Sequence, residues 1–325
     1  MLTERMSAVA RAAPRAVCVT SNTLLRRTLR RTLNAAGARV EICDAFEGSE
    51  GADLLVLDQE FRRTLTSEEL DALDPASGLI VLGESIEDEE VIELLRRPGV
   101  NHVISDLENP DDAELVVTSV KLLSGDIFGL EKYLSWGVKL VERRVHSYEE
   151  KRQALATVTA YAKEVGARRP LIARIESVVD ELLMNALYDA PAARAGRARA
   201  LGERLGTPAP EAEALLRWAA DGRYFAVSVQ DDFGELHKAA ILDHVSRARS
   251  ERGRPRSAEE AGDGAGAGLG LYFILSSVTR FVANIEPGKR TEVVCMFDLK
   301  TSGRDAESCA RSLHVFEPPV NGNAE

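Results

Sequence analysis

Over the first 125 residues, stretches that read as strand and as helix alternate about five times, separated by short polar breaks. Few folds accept that alternation. Ala16 to Thr20 is a short apolar run. Thr23 to Ala36 reads as a helix stopped by Gly37, and Arg39 to Cys43 as a second strand. Ala52 to Asp58 is a third, and its nearly continuous apolar content predicts a strand covered on both faces. A helix over Ser67 to Leu73, a strand over Gly78 to Leu82, a helix over Glu87 to Arg96, a strand over Asn101 to Ser105 and a helix over Asp111 to Leu123 complete the series. Repeated βα units of this length predict a doubly wound, five-stranded parallel sheet.

At 325 residues the chain has room for about two domains. A hydrophobic share of 45% and a charged share of 29% are ordinary for a soluble globular protein. A net charge of -11 argues against a general nucleic-acid binder, which needs a positive field. Cys18, Cys43, Cys295 and Cys309 have no metal-binding or redox spacing and read as reduced cysteines of a cytoplasmic protein. No run reaches the roughly 20 apolar residues of a membrane helix. The first fifteen residues, interrupted by Arg, read as a frayed tail and not as a secretory signal.

Asp58 ends the third strand, at the carboxyl edge where doubly wound sheets place their sites. On this strand-helix order and this aspartate, residues 14–125 resemble the receiver domains of two-component response regulators, with Asp58 at the phospho-acceptor position. Receivers carry an acidic pair after the first strand, a small hydroxyl after the fourth and a lysine after the fifth. This chain has Thr20, Ser21 and Asn22, then Gly83, then Ser105 and Asp106. Nothing there offsets the charge of a phosphoryl group, so the expectation is a degenerate, pseudo-receiver unit that pairs with itself or a partner.

Residues 126–137 read as a linker whose aromatics pack between domains. Val138 to Val145 reads as a strand, and Tyr148 to Val165 as a helix stopped by Gly166. His146 lacks the helical, acidic-basic setting of a phosphorylated histidine. Ile172 to Ala190 then reads as an amphipathic helix in which Glu181 and Asn185, four apart, stack on one face beside the apolar arc. The alternative is a solvated Glu next to a surface Asn. Pro191 to Glu213 reads as an insertion. Leu215 to Ala219 and Tyr224 to Val229 form a hairpin about Asp221-Gly222, and the outgoing strand runs into Asp231-Asp232-Phe233-Gly234, a surface turn on local grounds. A long polar segment, Glu235 to Glu260, precedes Gly264-Ala-Gly266-Ala-Gly268-Leu269-Gly270-Leu271 at the start of a helix. Alternating glycines let backbone amides turn toward an anion, and the helix N-terminus adds positive potential; a glycine-rich linker is the alternative. Glu292 to Leu299 and Ser312 to Phe316 read as strands.

A helix with Glu and Asn, a strand-end Asp with Gly, and a glycine loop entering a helix stand here in the order of the ATP-binding fold of gyrase, histidine kinases and the MutL proteins. Residues 138–300 thus resemble that GHKL (Bergerat) α/β sandwich with a mixed sheet, and among its members the bacterial anti-sigma-factor serine kinases. The resemblance implies ATP and Mg²⁺, with Asn185 as metal ligand, Glu181 as general base and Asp231, or Asp232 one residue later, as adenine acceptor. Gly234 belongs to the same turn. Gly264, Gly266, Gly268, Leu269 and Gly270 would cradle phosphates, with Thr291 at the adenine end and 235–260 as a mobile lid. It implies a cytoplasmic signalling protein with a regulatory protein partner, no nucleic acid and no membrane, and dimerisation by resemblance alone. Three activities stay open: a serine/threonine protein kinase, a nucleotide-gated interaction module, and an atypical histidine kinase. Residues 301–325 are a C-terminal extension.

Overall fold

The computed structural model describes residues 12–45, 51–73, 78–84, 86, 88–105, 112–197, 208–252, 269–300 and 312–317. Its first part contains β1 (Arg15–Val19), α1 (Thr23–Ala35), β2 (Arg39–Cys43), β3 (Leu54–Asp58), α2 (Gln59–Arg62), α3 (Ser67–Asp71), β4 (Gly78–Leu82), α4 (Glu89–Arg96), β5 (Val100–Ile104) and α5 (Asp112–Ser124). Local chemistry sets several boundaries. Asn22 caps α1 by accepting from the Leu24 and Leu25 amides, and Thr66 and Glu69 close a reciprocal capping box on α3. The five strands are all parallel in the order β2-β1-β3-β4-β5. The fully buried β3 is central, as its unbroken apolar sequence requires.

After a 3-10 turn at Leu130–Tyr133 come β6 (Val141–Val145), α6 (Tyr148–Glu164), α7 (Arg169–Met184), a π-helical turn at Asn185–Asp189 and α8 (Ala190–Arg194). β7 (Ala214–Ala220), β8 (Tyr224–Asp231), α9 (Lys238–Arg252), α10 (Leu269–Ser277), β9 (Arg280–Glu286), β10 (Arg290–Asp298) and β11 (Ser312–Phe316) follow. Strands β6, β7, β8, β10 and β9 form an antiparallel ladder.

The two ladders belong to one mixed sheet, of eleven strands among the described residues, and β11 is the join. It runs parallel to β9 on one side and antiparallel to β5 on the other, with Leu313 opposite Val103 and His314 opposite His102. All five of its residues are buried. One apolar cluster runs across both halves. It combines Val91, Ile92 and Leu95 of α4 with Val178 and Leu182 of α7, Ile241 and Leu242 of α9, and Ile274 of α10. On the opposite face, residues from the 126–137 segment (Ile127, Leu130, Tyr133) cover Tyr224, Val282, Val294 and Met296.

The join also buries charge. Glu114 of α5 lies 2.9 Å from Arg280 Nε of β9 and 3.0 Å from His314 Nε2 of β11. Lys121 Nζ donates to Tyr133 Oη at 2.5 Å and to Asn284 Oδ1 at 2.7 Å, and Asn284 in turn donates to Glu292. Removing one member of such a buried set strands its partners in low dielectric, so the set fixes α5 to β9 and β10 in one register.

Three local expectations are corrected. The polar 235–260 segment contains α9. The helix through Glu181 and Asn185 does not stop at Ala190 but continues through the π turn into α8. β9 was not foreseen, because a short apolar run directly after a helix has no periodicity that separates strand from helix.

Candidate functional site

α7 offers its apolar stripe, Ile175, Val178, Val179, Leu182 and Leu183, to the sheet, and each is buried. Full burial of such side chains contributes roughly 1.5–3 kcal/mol apiece. That packing fixes the rotation of the helix and so aims the neighbouring Glu181 and Asn185 along the rim of the core. Pro191 would break a regular α-helix, because it has no N–H and its ring clashes with the carbonyl four residues back. The chain meets this with the π turn, in which the Ala190 amide donates to the Asn185 carbonyl. π turns recur at functional sites because they re-aim side chains within a helix.

Between this helix and the sheet lies a cavity of about 390 Å³, within the usual range for a small-molecule site. Glu181, Leu182, Asn185, Ala186 and Asp189 form one wall, with Ala190, Ala193 and Arg197 beyond them. Val229 and Asp231 of β8 and Thr291 and Val293 of β10 form the floor. Leu236, Ala240 and His244 close a further side, with Leu271 of α10.

Asp231 and Thr291 are cross-strand partners. Asp231 is 9% exposed, and its Oδ1 accepts the Phe233 amide at 2.9 Å and the Gly234 amide at 3.2 Å. Burial raises its carboxyl to about 6, against the lowering effect of those two amides. Thr291 is 2% exposed, and its Oγ1 has no hydrogen-bond partner among the described residues. A buried hydroxyl of that kind costs free energy unless something satisfies it. The cavity therefore has a polar end, a carboxylate beside an unsatisfied hydroxyl, between apolar flanks.

At the helical end, a Cβ on Gly270 would overlap the Glu181 carboxylate. The first turn of α10 thus lies directly on Glu181, and a larger residue at 270 would have to push that side chain aside. Gly270 packs on Glu181, and its neighbour Leu271 lines the cavity. Gly264, Gly266 and Gly268, and the side chain of Leu269, lie outside the described residues.

The remaining sequence candidates stand elsewhere. Asp232 is exposed and does not line the cavity. Gly234, at φ +67°, lies beneath the site. A Cβ there would come within 2.6 Å of the Lys289 amide and 2.8 Å of the Gly288 amide, so its role is to let the β8 exit cross the β9–β10 turn. Arg194 locks the same crossing, donating to Gly288 O at 2.7 Å, to Glu235 at 2.6 Å and to Phe233 O. His146, at the end of β6, lies 3.3 Å from Glu213 and does not line the cavity. Asp58 is 3% exposed and caps α2 through the Phe61 amide at 2.7 Å. Beside it the fully buried Glu84 takes the Arg62 guanidinium and Gln59. This edge satisfies itself internally. Among the described residues no group of three or more His, Cys, Asp or Glu is arranged to hold a metal ion.

Sequence reading missed Leu236, Ala240 and His244. For Ala240 and His244 the available signal was a spacing of four on one face of α9, hidden in a segment dominated by charge; Leu236 stands in the loop before that helix.

No family model and no curated protein matches the chain. Among solved structures, the SiaB–SiaC complex from Pseudomonas aeruginosa is similar at 18% identity and a TM-score of 0.33, over 55% of this chain and 98% of that one. A structure of a fungal multi-domain GH3 β-N-acetylglucosaminidase with a GCN5-related glucosamine N-acetyltransferase region is similar at 10% identity and a TM-score of 0.24, over 69% of this chain and 26% of that one. Likenesses at these TM-scores carry no argument about function; the site has to be read from its own residues.

Proposed function

We propose that the cavity binds Mg-ATP and that the chain is a signalling regulator acting on a protein partner. The observation that carries this reading is the pairing of the Asp231 carboxylate with the unsatisfied Thr291 hydroxyl at one end of the cavity, opposite Glu181, Asn185 and the start of α10. An adenine amino group donates where Asp231 can accept, and ring nitrogens accept where Thr291 can donate. Val229, Val293 and Leu271 offer apolar contact for the base. Asn185 would supply a carbonyl oxygen, the hard donor Mg²⁺ prefers alongside phosphate and water. The N-terminus of α10 favours negative charge beside it. When bound, the nucleotide supplies a transferable phosphoryl group. The protein's part is to hold it, to exclude water, and to place the Glu181 carboxylate near an incoming hydroxyl.

Calorimetric titration with ATP and magnesium tests the reading. Wild type binds in a magnesium-dependent manner and Asn185→Ala loses the magnesium dependence while keeping its fold; equal affinity in both removes the site. A second reading, a nucleotide-gated module without transfer, is favoured by the packing of Glu181 against Gly270, which lets the carboxylate sense the position of α10. Labelled ATP separates the two. In the kinase, Glu181→Ala stops label transfer to protein in a lysate and spares ATP binding; in the gated module, partner function survives the same substitution.

A further inference from the structure

α9 forms one side of the cavity and is attached to the first half of the molecule. Lys238, at its start, donates to the Asn101 side chain at 2.8 Å, to the Arg97 carbonyl at 2.9 Å and to the Val100 carbonyl at 3.4 Å. These three acceptors bracket the α4–β5 connection. About one and a half turns on, Asp243 accepts from Arg96 at 2.8 Å, and Arg96 also reaches Ser246 at 3.1 Å. Ile241 and Leu242 are buried in the same apolar cluster as Ile92 and Leu95 of α4. The residues that face the cavity, Ala240 and His244, alternate along the helix with those that hold it, Lys238, Ile241, Leu242 and Asp243.

We infer that the α4–β5 edge is a regulatory element for the cavity: it pre-forms the α9 wall, so the first half of the molecule sets the affinity of the site in the second. The nucleotide as ligand rests on the reading above; the clamp itself does not. An exposed Arg–Asp pair alone contributes at most about 1 kcal/mol. The clamp adds to it a half-buried Lys238 with three oxygen acceptors and an apolar seam, and those are the groups that order the helix. A wall ordered before binding need not be ordered by the ligand, and that difference appears in affinity. Anything that displaces α4 or the α4–β5 connection withdraws the acceptors of Lys238 and the Arg96 pair together, and loosens the wall without touching the polar floor of Asp231 and Thr291.

The test is hydrogen exchange on the full chain for wild type, Arg96→Ala, Lys238→Met and the double variant, with the dissociation constant for Mg-ATP measured on the same proteins. In the double variant, amides of α9 exchange about tenfold faster or more before any nucleotide is added, those of α7 are unchanged, and the dissociation constant rises about tenfold. The exchanged pair Arg96→Asp with Asp243→Arg recovers protection that Arg96→Asp alone loses. Unchanged α9 exchange in the double variant overturns the clamp. Faster exchange with unchanged ATP affinity overturns its control of the site. A wild type that binds no ATP overturns the nucleotide reading instead, and the exchange data still decide the clamp.

Discussion

Asp231 carries opposing demands. Burial disfavours its charge, while the Phe233 and Gly234 amides favour it, and burial prevails. A carboxyl with a folded pKa of about 6, against 3.8 in an unstructured chain, binds protons more tightly when folded. Its contribution to stability is therefore fully present below about pH 4 and is lost as pH rises through about 6, a swing of about 3 kcal/mol. Asp231→Asn, which keeps an oxygen for the two amides, should raise the unfolding midpoint at pH 8 and leave it unchanged at pH 4; denaturant melts at the two pH values check this. ATP affinity of the wild type should fall as pH drops through about 6, where the acceptor is protonated, and that dependence should vanish in Asp231→Asn. Gly270→Ala gives a cleaner separation of fold from function. Its Cβ must displace the Glu181 carboxylate or the start of α10. We expect label transfer to fall at least about tenfold, with a loss of stability of about 1 kcal/mol or less because the displaced group is the end of a flexible side chain.

At the scale of elements, the π turn is the device on which the site depends. Replacing Pro191 by Ala restores an N–H and removes the ring clash, so the segment can revert to regular α-helix. The expected outcome is a gain in stability of up to about 3 kcal/mol together with weaker ATP binding, because the helical register past Asn185 rotates. Thermal melts and calorimetry on one variant measure both. The Glu181/Asn185 pair, at the end of α7 and the start of the π turn, was legible because a spacing of four on an apolar-striped helix puts both residues on one face. The π turn was not, since the same Pro191 that demands it reads locally as a helix stop. α9 was hidden for a related reason. It packs against both α4 and α10, so no single stripe stands out among its charges.

The whole molecule is organised by β11, which turns two ladders into one sheet. The expected outcome is a single cooperative unfolding transition for the full chain, because α5, β5, β9 and β11 share buried contacts across the join. Phe316, packed at 4.5 Å from the His102 ring and beneath the Lys121 amine, is the best single test. Phe316→Ala should cost about 3–5 kcal/mol and make the transition broaden or split; calorimetry shows which. Among the described residues no helix is long and apolar enough to cross a membrane. That the first five strands would be parallel was readable in advance, since alternating βα units with short loops predict such a sheet; their order, β2-β1-β3-β4-β5, was not. A helix-face spacing and a strand end marked Glu181, Asn185 and Asp231 as candidates, because such features are written in neighbouring residues, whereas Thr291 entered only through the family resemblance. Which of two adjacent aspartates looks inward, which hydroxyl is left without a partner, and where the last strand inserts were decided only by tertiary structure. Each depends on groups far apart in the chain competing for the same buried space, and no local periodicity records who wins.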